Sequence, residues 1–447
     1  MTLTEDPRGM CLGEGICDAS GACAEGEYVF GSLYGGTQGD DGLGLAIDSA
    51  GAWLIVGGSV GPWAFGEDIN TESGGIDFFV GKLDAAGQPL WNYRFGGMET
   101  DYLRTVAVDA ADAIYVGGYV DGQTSAFSSQ GPIGQAGERT AAVGKLSSEG
   151  DEDWLAGFGF ASSDDQVFSV AVDDGDGSVV AVGRRQGLFM AKLDADDGTT
   201  LAISDFSSSA FDHRIMDVAI APDGAVAITG QVQGDVDFGG GMISTGASLA
   251  IFVAVFDRWN GQPAIEDTYR WADVFPGVAT GLGRRVVFEA DGGVTICGDV
   301  QGSSADFGGD AHPLAGGLDA FVARFAADGT YRGSATFGAA GDQVAAGMAL
   351  DEHGNFGLAG WFQGELGLGG LTSNGGDDAF AVKLTPELEL LWARKFGDGA
   401  NQFARQAAYT GDGFVLLGAA AGSLAVPNGG TASAAGDIDF MVLRLSQ

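Results

Sequence analysis

Five aspartates, Asp40, Asp101, Asp165, Asp212 and Asp342, each stand just before or at the start of a short apolar run in a chain of 447 residues. Carboxylate oxygens brought around one point suit a hard cation, so the set is a candidate Ca²⁺ site. Asp41 and Asp164 flank two of them, and Asn401 holds the related place near the C-terminus. The competing reading is that each acid caps its own loop backbone, the ordinary work of Asp in turns. A second group is basic: Arg184 and Arg185 are adjacent, and Arg214 follows where the next apolar run begins. In a chain this acidic they form a candidate anion-binding cluster, although pairing with nearby Asp would neutralise them. Trp63, in "GPWAFGEDINTESGGI", has no counterpart in the other copies and is a candidate ligand-binding residue.

Other chemistries find few residues. His213, His312 and His353 are the three histidines. They lie too far apart in the repeat for a Ser/His/Asp relay or a His-based zinc centre. Gly-rich stretches are frequent among 79 glycines, but none opens a helix as a dinucleotide site requires. Cys11, Cys17 and Cys23 crowd the N-terminus and read as a disulfide-bearing tail over residues 1–27, while Cys297 lies in an apolar strand-like run as a free buried thiol. No charged and apolar leader precedes them, so Met1 is expected not to be the natural start.

The net charge of −40 repels phosphate backbones and anionic lipid, which argues against nucleic acid and membrane surfaces as partners. No apolar run is long enough for a membrane-spanning helix. Of the 61 acids 45 are Asp, a turn former, and 16 are Glu, a helix former, so the composition favours many turns and little helix.

The elements that must position these residues come from repetition. A phrase of the form "DFFVGKL" recurs seven times: at 77–83, 140–146, 188–193, 250–256, 319–325, 378–384 and 439–445. A second phrase, "TVAVDAADAIYVGGYV" and its relatives, accompanies it, and W-x3-F-G appears at Trp91, Trp154 and Trp392, with a variant at Trp271. Each unit holds four runs of period-two alternation separated by Asp/Gly turns, which predicts a four-stranded antiparallel meander. Seven meanders packed radially predict an all-β seven-bladed propeller over residues 28–447. Within a blade the short-chained "VAVD" run is expected as inner strand A, followed outwards by B, C and the Trp-bearing D. The chain opens on an unpaired strand D, "YVFGSLYGG", and stops after a strand C, "DFMVLRL". The two loose ends are expected to pair and close the ring, removing its open edge.

These phrases, taken as "DAFVAKLD"-like plus "W…FGG…D…VAVD…G…YV.G", resemble the bacterial SBBP-type β-propeller repeat across residues 28–447. The resemblance implies an exported or cell-surface protein and no shared catalytic residues. Val255 departs from it, standing where the other copies carry Lys or Arg. In a meander the B–C and D–A connections emerge on one face, and the long B–C loops make that face the working surface. The third blade lacks such a loop, leaving a notch between residues 121–139 and 233–248 that Arg184, Arg185 and Arg214 would line. The expectation is a monomeric, non-enzymatic scaffold binding a protein or glycan, with an acidic polysaccharide or peptide at the notch and Ca²⁺ at the channel mouth. The alternatives are a propeller enzyme of the quinone-dehydrogenase or lyase type and a calcium-stabilised carbohydrate-binding propeller.

Overall fold

Alternation builds the sheets, and burial decides which strand goes where. In blade one Asp40–Ile47 (strand A), Trp53–Ser59 (B), Asp77–Leu83 (C) and Pro89–Phe95 (D) pair in that order, all antiparallel. Strands B and C are buried along their whole length, which is why they read as nearly continuous apolar runs. Strand D alternates between half-buried and exposed because its outer side meets solvent. The same order recurs in all seven blades of this computed structural model. It describes residues 10–11, 15–17, 23–24, 26–65, 68–70, 74–122, 133–134, 138–159, 164–206, 213–246, 248–260, 265–276, 280–427 and 430–446. These include a single turn of 3-10 helix, Ile265–Thr268.

The ring closes as the loose ends predicted. Blade seven takes strands A to C from Gln402–Tyr409, Gly413–Ala420 and Asp439–Ser446, and its outer strand is Tyr28–Gly36 from the other end of the chain. The register sets Phe440 opposite Tyr34 and Val442 opposite Ser32. The Tyr34 and Phe440 rings stack at 5.1–5.3 Å with Phe79 beyond them, so blades seven and one share an aromatic seam. Before this strand, Met10–Cys11, Gly15–Cys17 and Cys23–Ala24 form a small antiparallel sheet with Cys17 opposite Cys23 in register. Cys297 is a free, fully buried thiol, and burial pushes its pKa up to about 12.

Repetition in strands C and D is explained by latches between blades. The strand-C lysine reaches the C–D turn of the next blade: Lys82 donates to the Ser148 carbonyl, Lys145 to that of Ala195 and Lys192 to that of Trp259. Arg324 and Arg444 do the same towards Pro386 and Ala85. Each cation also holds an acid, as Lys82 holds Asp48 at 2.9 Å and Lys383 holds Asp351 at 2.8 Å, both at the end of their own blade's strand A. The strand-D tryptophans serve the same joint. The indole nitrogens of Trp154 and Trp271 donate to the carbonyls of Ala195 and Ala327 in the following blade. Blade four keeps neither partner of the lysine latch: Val255 replaces the cation and Ala221 the acid, so no charge is left buried alone.

Candidate functional site

Every inner strand carries a β-bulge near its middle. The A–B register slips around Leu43, Arg104, Phe168, Met216, Arg284, Ala346 and Arg405, one residue per blade. A bulge re-aims one side chain out of the alternating pattern. All seven of these side chains line one cavity of about 120 Å³ on the propeller axis, joined by Arg285 and Trp361. The residue before each is small or aliphatic in all seven blades, whereas the channel-facing position holds three Arg, two bulky aliphatics, a Phe and an Ala, and the residue after it also varies, from Gly44 to Asp217 and Arg285. Unrepeated side chains on a repeated scaffold mark where specificity was added.

The cavity is basic inside a protein of net charge −40. Arg405 is held by Asp41 through Nε and Nη2, both at 3.0 Å. Arg284 is held by Asp299 and lies over the Trp361 ring, 5.4 Å from its centroid. Arg285 donates to the carbonyls of Arg284 and Arg405 and faces Asp217 at 3.9 Å. Asp217 is itself anchored by the Ser169 hydroxyl and the Val286 amide, at 2.8 and 2.9 Å. Burial pushes the Asp217 carboxyl up, with Arg285 pulling it back. Arg104 differs. It lies against the rings of Phe168 and Tyr119, at 5.0 and 5.6 Å, its Nε is buried without a hydrogen-bond partner, and it makes no ion pair among the described residues. Burial, together with the neighbouring cations Arg139 and Arg214, lowers its pKa.

Among the described residues, the aspartates foreseen at the channel mouth cap their own or neighbouring loops. Asp40 and Asp101 open their strands A and Asp165 directly precedes its own, and all three are fully buried. Asp40 accepts from the Gly36 amide at 2.6 Å and Asp101 from that of Gly97 at 2.9 Å, each capping the turn four residues back. His213, Gln343 and Gln402 occupy the corresponding place in other blades, three residues before the bulge, and the two Gln side chains make the same bond to Ala339 and Asp398. Asp342 belongs one position earlier, beside Asp164 and Asn401, and accepts from the Leu318 amide at 2.9 Å. Asp212 lies outside the described residues. The four described ones therefore belong to two registers, and no group of three or more acids, His or Cys among the described residues could hold a metal. The capping geometry has a cost. Burial raises Asp40 to about 7, with Asp439 adding to the rise, and raises Asp101 to about 6, with Asp77 adding.

Blade three has the short B–C connection expected of it: strand B ends at Arg184 and strand C begins at Leu188. Its arginines are paired, Arg184 with Asp164 and Arg185 with Asp205 at 2.5 Å, the acids being half exposed. Arg214 opens blade four's inner strand, within electrostatic reach of Arg104. Trp63 is 1% exposed and packs on Phe79 at 4.8 Å and Phe440 at 5.6 Å, so it is not on the binding surface. It has counterparts after all. Val236, Ala305, Leu366 and Leu424 are equally buried at the same place in the B–C loops of blades four to seven. Trp63 is the bulkiest form of a repeated plug.

No protein-family description matches the chain, and no curated protein matches it. Among solved structures it is similar to the WD40 domain of Neurospora crassa Pan2 at 9% identity and TM-score 0.49, covering 94% of this chain and 96% of that one. It is also similar to Chaetomium thermophilum Raptor at 9% identity and TM-score 0.47, where the match spans 94% of this chain and 30% of that one.

Proposed function

We propose that this protein is a non-enzymatic binding scaffold whose ligand, a protein or glycan, docks on the face bearing the B–C loops and places a group in the central channel. The carrying observation is the contrast within strand A: the position before the bulge stays small or aliphatic, and the channel-facing position does not repeat. Support for export or display at the cell surface comes from the resemblance of the repeat to SBBP-type propellers. The short hairpins Asp235–Asp237 with Met242–Ser244 and Ser423–Val426 with Gly430–Ser433 give the loop face ordered walls around the channel. An array of glycans and peptides, screened with wild type and with Ala346→Trp, tests the reading. Ala346 faces the cavity, and a Trp there fills it. Ligands bound by wild type should be lost by the variant, and ligands bound equally by both would contradict the channel as the site. Absorbance and intact mass of the purified protein address the enzyme alternative, where a stoichiometric quinone or flavin would overturn the scaffold reading.

A further inference from the structure

The channel's charges specify more than a generic site. Four guanidinium groups, those of Arg104, Arg284, Arg285 and Arg405, face the cavity, and three carboxylates engage them: Asp299, Asp217 and Asp41. One cation is left over. It is Arg104, and Asp41, the acid whose charge it feels, is already taken by Arg405. Arg104 is held by aromatic faces rather than by an acid, an arrangement that orients a guanidinium and leaves its charge available. Elsewhere the protein spends its acids on its arginines, as at Arg139, Arg184, Arg185, Arg270 and Arg332. With 61 acids against 21 basic residues, an unpaired half-buried arginine is not a shortage of carboxylates.

We propose that the central channel binds one carboxylate group, with Arg104 as its primary cation and the ligand's body against Phe168, Met216 and Trp361. This rests on the reading of the channel as the binding site. A single negative charge balances the excess cation, and the planar fork of a guanidinium matches a carboxylate. The cavity of about 120 Å³ approaches the size of engineered apolar cavities of about 150 Å³ that take up benzene. That space admits a carboxylate with a small attached body such as a phenyl ring. The carboxylate is therefore that of a small organic acid or of an acidic side chain reaching in from a peptide.

The test is thermal unfolding and titration calorimetry of the full chain with sodium acetate, sodium benzoate and a hexaglutamate peptide, each against sodium chloride at equal ionic strength. A ligand of the folded state must raise Tm. At least one carboxylate should raise it beyond chloride, benzoate more than acetate because of the apolar wall. Arg104→Met should weaken that binding about tenfold or more, and Arg104→Lys by less. Arg104→Met should also melt no lower than wild type, since an uncompensated buried charge is removed. Should that variant fail to fold, Trp361→Phe supplies the second reading: benzoate quenching of wild-type fluorescence should be lost in it. A peptide response alone supports a side-chain ligand, and a free-acid response alone supports a small molecule. A Tm response no larger than chloride's, or Arg104→Met binding like wild type, overturns the proposal. Carboxylate binding that depends on Arg104, beside array ligands indifferent to Ala346→Trp, keeps this site and overturns the broader function; the reverse outcome overturns this site alone.

Discussion

Lys383 and Asp351 show how single residues hold the blades. Both side chains are buried, and the acid also accepts from the amides of His353 and Asn355, each at 2.8 Å. Lys383→Val leaves a buried carboxylate without its counter-ion and should cost about 3 kcal/mol in urea unfolding. Adding Asp351→Asn, which keeps the turn acceptor and removes the charge, should recover part of that loss; additive losses would show that the two are not coupled. Blade four displays the outcome in natural form, with Val255 and Ala221 both apolar. Asp40 gives a pH signature. Its folded pKa of about 7 lies above the ordinary 3.8, so the folded state holds the proton more tightly and this group's penalty grows as pH rises from about 4 to about 7. Asp40→Asn keeps an acceptor for Gly36 and places a donor near Asp439, whose Oδ1 is buried without a partner. The variant should melt above wild type at pH 8 and lose that advantage at pH 4. An advantage that is constant with pH would contradict a titrating Asp40.

At the scale of elements, the strands were readable because period-two alternation and Asp/Gly turns are local signals. The pairing of Tyr28–Gly36 with Asp439–Ser446 was readable because an orphan D and an orphan C need each other. The channel lining was not readable in this way. A bulge adds one residue to a strand, and which residue turns inwards is known only from the pairing of A with B. That same one-residue offset merged Asp342 with Asp40, Asp101 and Asp165, which hold a different register. A signal was present in the chain: aligned on the fourth residue from Asp40, Asp101, Asp165, His213, Gln343 and Gln402, the inner strands show Leu, Arg, Phe, Met, Ala and Arg, while the residue before it is Gly, Leu, Val, Ile, Ala and Ala. Trp63 was misread because its counterparts differ in size although they share its burial. Its hairpin, Trp63–Phe65 with Asp68–Asn70, extends blade seven's sheet through the pairing of Gly35 and Gly36 with Ala64 and Trp63. Trp63→Ala should therefore empty the seam between blades seven and one and cost about 3–5 kcal/mol. A cost below about 1 kcal/mol in urea unfolding would show that the hairpin is not part of the seam's packing.

For the whole molecule, a ring shut by its two chain ends separates what holds from what binds. Removing residues 437–447 takes away the strand that carries Tyr28–Gly36, and the soluble folded yield should collapse. A variant with an unchanged melting transition would mean that closure contributes nothing. Within the closed ring, repetition serves stability: latches, plugs and turn caps recur because each joint between blades needs them. The channel lining is exempt from that demand, and this exemption is the central claim. It is tested most directly by a saturation substitution scan read out as folded, soluble protein, with no ligand required. Leu43, Arg104, Phe168, Met216 and Ala346 should tolerate most replacements, while their strand neighbours Leu103, Val167, Ile215 and Ala345, all buried between sheets, should tolerate few. If the five channel positions prove as intolerant as those neighbours, the lining is ordinary core and the channel is not a binding site.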